Sequence, residues 1–311
     1  MIKVDLVTGF LGSGKTTFIR RYARHFLSKG QRVGILENDY GAVNVDAMLL
    51  QELEDDGCIV ESVAGACDAD CHRRRFKTKL IALGMSGLDR VIVEPSGIFD
   101  VDEFFDAINE EPLDRWYEPG AVIAIVEACL PEKLSDDAEY YLGSQAANAG
   151  VIVISKTEAA APGQINAVKE HLCRALKSIK CGRSLDGAVT AKGLAELDDA
   201  DFDRIADSGT VSEGYVKRGT TDSSGFCSLC FMNAPLSPDE LKDAAQAIFD
   251  DPSCGGVFRV KGFALRGGEW FECNATRTGT ALSPVSRGQE IIIVTGERLN
   301  RSRIAEHLGS V

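Results

Sequence analysis

The sequence predicts an α/β fold with a mostly parallel sheet flanked by helices, followed by a smaller C-terminal α+β domain. Strand-like and helix-like patterns alternate through roughly the first 200 residues, as a parallel sheet requires. The segment 208–225 is rich in Gly, Ser and Thr, which is typical of a linker. A length of 311 residues is enough for two domains. We therefore expect a first domain over 1–208, a linker over 209–225 and a second domain over 226–311.

Hydrophobic periodicity predicts the individual elements, since strands alternate with a period of two and helices repeat every three to four residues. The strands predicted in the first domain are 2–7, 32–37, 58–61, 90–94, 121–126, 151–155 and 188–191. The helices predicted between them are 18–27, 73–83, 102–108, 136–147, 165–176 and 193–205. In the second domain we predict strands 226–232, 257–265, 269–274 and 290–295, and helices 238–249 and 300–308.

The most informative segment, 9–17, joins the first strand to the first helix and fits the pattern G-x-x-x-x-G-K-[ST]. Gly12 and Gly14 allow a tight turn whose N–H groups point at phosphate oxygens. Lys15 can reach the β- and γ-phosphates and is a predicted catalytic residue, and Thr16 can ligate Mg²⁺. A glycine-rich turn without a ligand is the alternative. We expect a P-loop domain that binds a nucleoside triphosphate through Gly9, Gly12, Ser13, Gly14, Lys15, Thr16 and Thr17.

A second phosphate-side motif follows the strand 90–94, which ends in Glu94 at the carboxyl edge of the predicted sheet. Ligands bind at this edge in open α/β folds. Glu94 can hold Mg²⁺ or orient an attacking water, and the Gly97 N–H can contact the γ-phosphate. A solvated glutamate at a strand end is the alternative.

The second predicted strand is followed by Asn, Asp, Tyr and Gly at 38–41. A loop at this position can sense the γ-phosphate and Mg²⁺. Asp39 is the acid we expect to approach the metal and to act in catalysis. A simple turn built from Asn, Asp and Gly is the alternative.

Lys156 and Glu158 follow the buried strand 151–155. A carboxylate at this position can accept hydrogen bonds from the N1–H and 2-amino group of guanine, while the lysine stem covers the ring. Adenine lacks both donors, so the pair predicts GTP rather than ATP. A plain loop is the alternative.

A cysteine–histidine cluster lies between the second and fourth predicted strands and contains Cys67, Cys71 and His72. Cys67 and Cys71 share one face if the segment is helical. Two thiols and an imidazole suit Zn²⁺, Co²⁺ or Ni²⁺. Incidental thiols in a turn, or a redox pair, are the alternatives. The run Arg73–Arg75 that follows is either a solvated helix face or a docking site for an acidic partner.

Composition limits the partners and the compartment. The net charge of −13 argues against nucleic acid and against an anionic membrane surface. No apolar run approaches the length of a membrane span. Because the first residues enter a strand, we expect no secretory signal and a cytoplasmic protein. The ten cysteines are then expected to be reduced.

Together these motifs resemble those of the CobW-like GTPases, relatives of the nickel-insertion GTPases for urease and hydrogenase. The matching segments are 9–17, 94–97, 38–41 with Asp46, and the Arg-Val-Lys-Gly of 259–262. Three segments depart from the family pattern. The family has Cys-x-Cys-Cys where this chain has Cys67, Cys71 and His72, Asn-Lys-x-Asp where it has Ser-Lys-Thr-Glu at 155–158, and Glu where it has Asp39.

The resemblance implies a GTPase that uses Mg²⁺ and serves as a metallochaperone or a metalloenzyme-maturation factor. It implies a transition metal as cargo and a client metalloprotein or metal-dependent enzyme as partner, and it allows a homodimer. Turnover is expected to be slow, because no built-in arginine finger is identifiable. A nucleotide-dependent switch without metal cargo and an ATP-dependent kinase are the alternatives.

Overall fold

The computed structural model describes residues 1–38, 50–63, 69–97, 101–211, 213–217, 226–277, 279–286 and 288–309. These residues form two compact units. The first contains the described residues up to 217, and the second contains those from 226 onward. Among the described residues, no helix is both long and apolar enough to cross a bilayer.

The first unit is built on a seven-stranded sheet in which every neighbouring pair is parallel. Its strands are β1 (Ile2–Thr8), β2 (Val33–Asn38), β3 (Ile59–Val63), β4 (Arg90–Pro95), β5 (Tyr117–Glu127), β6 (Val151–Ser155) and β7 (Val189–Thr190). Their order across the sheet is β3-β2-β4-β1-β5-β6-β7. The predicted parallel α/β fold is therefore confirmed.

Helices cover both faces of this sheet. They are α1 (Lys15–Ser28), α2 (Ala69–Gly84), α3 (Val101–Ile108), α4 (Asp136–Asn148), α5 (Gln164–Ser178) and α6 (Asp199–Ala206). Alternate residues of β4 enter different cores, as the period-two geometry of a strand requires. Val91 and Val93 pack in the cluster that contains Phe76 of α2, while Ile92 packs in the cluster that contains Phe18 of α1.

One predicted helix of the first unit is interrupted in the structure. The single helix predicted over 193–205 is a 3-10 turn, Leu194–Glu196, followed by the separate helix α6. Asp198 starts α6 because its side chain accepts from the backbone N–H of Asp201 in a capping box. Periodicity does not resolve this interruption, since the apolar residues continue through it.

The residues predicted as a linker are bonded to the first unit as far as they are described. Thr210 forms an isolated antiparallel bridge with Ala149. The backbone N–H of Val216 donates to the carbonyl of Ile179 at 2.8 Å. The described residues of this segment, 209–211 and 213–217, therefore continue the first unit beyond residue 208.

The second unit is a five-stranded antiparallel sheet with two helices. It contains β8 (Phe226–Met232), α7 (Pro238–Asp250), β9 (Gly256–Arg266), β10 (Glu269–Thr276), β11 (Gly279–Val285), β12 (Ile291–Glu297) and α8 (Arg301–His307). The strand order is β11-β10-β9-β12-β8. Leu241 and Ile248 of α7 pack with Val260 and Val294 of the sheet. This arrangement confirms the predicted α+β architecture.

Strand β11 is absent from the sequence-based prediction. It pairs with β10 alone and forms an edge of the sheet. Its residues include Gly279, Ser283 and Pro284, which have low strand propensity. Proline is tolerated on an edge strand because its missing N–H need not face a partner. Cross-strand pairing overrides the local propensity here.

Candidate functional site

The loop between β1 and α1 has the conformation that its glycines allow. Gly9, Gly12 and Gly14 have φ values of 146°, 78° and 97°, which side chains with a Cβ rarely adopt. A Cβ on Gly9 would also lie 2.2 Å from the carbonyl oxygen of Ile125. The loop therefore needs glycine at these positions to follow the edge of the sheet closely and lead into α1.

Lys15 is the first residue of α1, and its side chain folds back over the loop. Its ammonium donates to the carbonyl of Gly9 at 3.0 Å, and the residue is only 8% exposed. The first turn of α1 contains no acidic residue. The positive field of the ammonium and of the helix N-terminus is therefore not neutralised within that turn, which suits an anionic phosphate group.

Two buried hydroxyl groups beside the loop also fit a polar ligand. The Oγ1 of Thr8 and the Oγ of Ser13 have no hydrogen-bond partner among the described residues. Both residues are at most 2% exposed. Since buried hydroxyl groups normally have partners, these two are consistent with phosphate oxygens bound in the loop.

Oxygen ligands suited to Mg²⁺ meet at the ends of α1, β2 and β4. The Thr16 hydroxyl donates to Oε1 of Glu94 at 2.9 Å. Glu37 lies opposite Glu94 in the β2–β4 register, and each residue is 4% exposed. A hydroxyl and two carboxylates form a hard donor set, which fits this cation. Glu37 was not predicted as a site residue from the sequence, where its only signal was its position two residues before Asp39.

Backbone contacts fix the neighbouring β4 end against the phosphate loop. The N–H of Ser96 donates to the Asn38 carbonyl at 2.8 Å, which joins the ends of β4 and β2. A Cβ on Gly97 would lie 2.7 Å from the backbone nitrogen of Leu11. Gln145 of α4 donates to the Gly97 carbonyl at 3.0 Å. Gly97 is thus held close to the loop, where only a residue without a side chain fits.

Asp39, the predicted third member of this site, lies outside the described residues, as does Asp46. The role given to Asp39 therefore stays a prediction.

The predicted base-reading residues follow β6 at the same edge of the sheet. Lys156 has a left-handed backbone, with φ 54°, and its ammonium donates to Oε2 of Glu127 at 2.6 Å. Ser155 donates to the Ser13 carbonyl at 2.5 Å, which ties β6 to the phosphate loop. Glu158 is exposed in the turn after β6. Glu127 was missed in the sequence, although it ends an apolar strand at this edge.

The predicted metal ligands are described only in part. Helix α2 begins at Ala69, so Cys71 and His72 lie in its first turn. Cys71 is partly exposed, whereas His72 is 2% exposed. Consecutive helical residues project about 100° apart, which accounts for the difference. Cys67 lies outside the described residues, so the face that it shares with Cys71 stays a prediction.

A phosphate loop between β1 and α1, with an acidic strand end on the adjacent β4, defines the class of P-loop nucleotide-binding proteins. Within this class the chain belongs to the CobW/HypB/UreG family. Residues 3–182 match the model of that family's nucleotide-binding domain. The match covers more than half of the chain, which confirms the family resemblance seen in the sequence.

Curated relatives include two proteins of Escherichia coli (strain K12). The zinc chaperone YeiR is 28% identical over 165 residues, which cover 52% of this chain and 48% of that protein. The zinc chaperone YjiA is 29% identical over 186 residues, which cover 56% of this chain and 54% of that protein. The chain thus matches about half the length of these relatives.

Solved structures similar to this chain include the Zn(II)-bound YjiA GTPase from E. coli. It is 20% identical, covers 99% of this chain and 98% of its own, and gives a TM-score of 0.40. The hydrogenase maturation factor HypB from Archaeoglobus fulgidus is 16% identical, covers 66% of this chain and 86% of its own, and gives a TM-score of 0.40.

Proposed function

We propose that this protein binds and hydrolyses GTP and couples the state of the nucleotide to the binding and delivery of a transition metal ion. The observation that carries the nucleotide part is the 2.9 Å hydrogen bond between Thr16 and Glu94, beside the buried ammonium of Lys15. Membership of the CobW/HypB/UreG family supports the proposal. The names of the relatives YeiR and YjiA, both zinc chaperones, support the metal part.

In this proposal the residues of the nucleotide site have three roles: they bind the phosphates, bind Mg²⁺ and orient the attacking water. The backbone N–H groups of 12–17 and the Lys15 ammonium hold the phosphates in place. Thr16 and Glu94 would hold Mg²⁺, which would neutralise charge on the phosphate oxygens. Glu94 or Asp39 orients the attacking water. Because electrostatic stabilisation dominates phosphoryl transfer, these positions determine the rate.

The base is read at the carboxyl end of β6. Glu158 accepts hydrogen bonds from guanine, and the stem of Lys156 lies against the ring. Glu127 is already paired with Lys156 at 2.6 Å, so the exposed carboxylate of Glu158 is the one proposed to accept from the base. This arrangement favours GTP over ATP.

Replacing Glu158 by alanine is expected to weaken GTP binding by about 10-fold to 100-fold, since a hydrogen bond to a charged group contributes roughly 1.5–3 kcal/mol. ATP binding should change little. Competition of each nucleotide against a fluorescent GTP analogue measures the change in preference. Glu170→Ala, at another exposed glutamate on α5, is the matched control. An unchanged preference in Glu158→Ala would show that the base is read elsewhere.

The metal part of the proposal uses Cys67, Cys71 and His72 as ligands for the cargo ion. Strand β3, which precedes this segment, lies beside β2, and β2 carries Glu37 next to the predicted Mg²⁺ site. In this proposal the binding of GTP with Mg²⁺ would favour the arrangement in which Cys67, Cys71 and His72 hold the ion together. Hydrolysis loosens this arrangement, and the ion passes to a client metalloprotein.

The coupling is tested by competitive titration of Zn²⁺, Co²⁺ and Ni²⁺ into the reduced protein. Adding Mg²⁺ with a non-hydrolysable GTP analogue is expected to tighten binding of the preferred ion by about 5-fold to 150-fold, the usual range of coupling between sites. Cys71→Ala should remove the effect, whereas Cys173→Ala, at an exposed cysteine on α5, should retain it. Equal affinity with and without nucleotide for all three ions would refute the coupling.

A nucleotide-dependent switch without metal cargo is the second candidate. The burial of His72 favours it, because an enclosed imidazole also suits a purely structural role in α2. In this case the double variant Cys67→Ala/Cys71→Ala retains full activation of its client. A loss of client activation that added metal restores would exclude it.

A further inference from the structure

A separate group of metal-ligating side chains lies in the second unit. In the part of the chain that the structure describes, Asp251, Cys254 and His307 place one ligand atom each within 4.8 Å of one another. Asp251 directly follows α7, Cys254 ends the 3-10 turn after it, and His307 is the last residue of α8. Two segments that are distant in the sequence therefore bring an oxygen, a sulfur and a nitrogen ligand together.

We propose that Asp251, Cys254 and His307 bind a divalent transition metal ion of the zinc type, at a site separate from the nucleotide site. A thiolate, an imidazole and a carboxylate are the three side-chain types that zinc selects. Three protein ligands leave one tetrahedral position for water or for an exchangeable ligand. Such a set is too soft for Mg²⁺, which prefers oxygen ligands alone.

The surroundings of Asp251 are those of an oriented metal ligand. Its Oδ1 accepts from the backbone N–H of Ser253 at 2.9 Å, and its Oδ2 accepts from Nε of Arg303 at 2.5 Å. Nε2 of His307 lies 2.9 Å from the same Oδ2. Hydrogen bonds that orient a ligating carboxylate are a regular part of metal sites. An ion bound between Oδ2 and Nε2 would replace one hydrogen bond and leave those from Ser253 and Arg303 in place.

Charge at the site is compatible with a divalent ion. Arg303 also pairs with Glu306 at 2.5 Å, so its positive charge is shared between two carboxylates. The carboxylates of Asp251 and Glu306 face this single guanidinium, so the local charge is negative before the ion binds.

Burial gives the site an inner side and an entrance. Cys254 is fully buried in the core of the second unit, together with Phe249 and Ile304. The side chains of Asp251 and His307 are 14% and 20% exposed. An ion can therefore reach the two outer ligands from solvent and meet the sulfur beneath them. Once bound, it would join the end of α7 to the end of α8 and stabilise this unit.

The test is a Co²⁺ titration of the reduced 311-residue protein, without nucleotide, in the variant Cys67→Ala/Cys71→Ala. Removing those two thiols makes the result independent of the proposed cargo site. We expect a sulfur-to-cobalt charge-transfer band and the intense visible bands of tetrahedral Co²⁺, both displaced by Zn²⁺. Adding Cys254→Ser should abolish the charge-transfer band, and adding His307→Ala should weaken Co²⁺ binding by at least about 10-fold.

The matched control is Cys273→Ser, which changes another fully buried cysteine of the same unit outside the cluster. Its spectrum should match that of the background variant. Circular dichroism of each metal-free variant verifies folding, and His307→Ala, at a partly exposed residue, provides the test if Cys254→Ser unfolds. A folded background variant without a charge-transfer band would overturn the proposal, as would a band unchanged in Cys254→Ser or in His307→Ala.

Discussion

Replacing Lys15 by alanine is expected to lower the rate of GTP hydrolysis by about 10²–10³-fold, the loss typical of removing one preorganised charge or donor from a phosphate or oxyanion site. Lys15 is 8% exposed and its ammonium lies 3.0 Å from the Gly9 carbonyl, so it acts where water is largely excluded. Electrostatic interactions are stronger in such a site than in bulk water. Phosphate release under single-turnover conditions measures the rate.

Lys29→Ala is the matched control for this variant. Lys29 directly follows α1, at the end far from the loop, and pairs with Asp203 on α6. Lys29 has the same side chain as Lys15 but lies away from the proposed phosphate site. Its replacement should therefore leave the rate of GTP hydrolysis within a few-fold of the original. A folded Lys15→Ala protein that hydrolyses GTP at the original rate would exclude the loop as the catalytic site.

Local sequence determines most of the fold, because the spacing of apolar residues along each element matches the face that the element buries in the folded protein. The strands predicted at 151–155 and 226–232 have the bounds seen in the structure, Val151–Ser155 and Phe226–Met232. The sequence-based prediction missed edge strand β11 because the segment around Pro284 is a strand only through its pairing with β10. The hydrophobic periodicity of a segment carries no information about a distant strand, even where pairing with that strand determines the segment's conformation.

The nucleotide site is predictable where a motif imposes one conformation and unpredictable where two segments meet. The spacing of Gly9, Gly14 and Lys15 identifies the phosphate loop by itself. The positions of Glu37 and Glu127 depend on the strand order, because each lies beside a motif residue only when its strand is placed in the sheet. The meeting of Cys254 with His307 depends in the same way on how α8 packs near α7.

The buried ion pair between Arg90 and Asp5 gives the largest expected effect on stability. Asp5 on β1 is 0% exposed and pairs with Arg90 of β4. Its carboxylate also accepts from the Tyr22 hydroxyl at 3.0 Å and from the N–H of Ala121 at 2.8 Å. Arg90→Met removes the positive charge and leaves the carboxylate buried. The free energy of unfolding is expected to fall by about 3–5 kcal/mol.

This loss should depend on pH. Burial raises the pKa of Asp5 above its ordinary value of 3.8, while the charge of Arg90 opposes the increase. Without Arg90 the pKa of Asp5 in the folded protein rises further. A folded-state pKa above the unfolded one gives stability at low pH that is lost as pH increases through the folded value. Arg90→Met should therefore lose less stability relative to the original protein at pH 5 than at pH 7.

Urea unfolding at both pH values measures the effect, in a Trp270→Phe background so that Trp116 reports the first unit alone. The double variant Asp5→Asn/Arg90→Met should be more stable than Arg90→Met at pH 7, because it has no buried carboxylate to desolvate. Arg32→Met, which breaks the solvent-exposed pair with Asp89, should cost far less stability, because water and salt screen that pair. Two results would contradict this explanation: a cost for Arg90→Met as small as that for Arg32→Met, or a double variant no more stable than Arg90→Met. In either case an uncompensated charge on Asp5 could not explain the effect of Arg90→Met on the free energy of unfolding. The buried pair would then contribute through packing, including the contact of the guanidinium with the Phe26 ring at 4.2 Å.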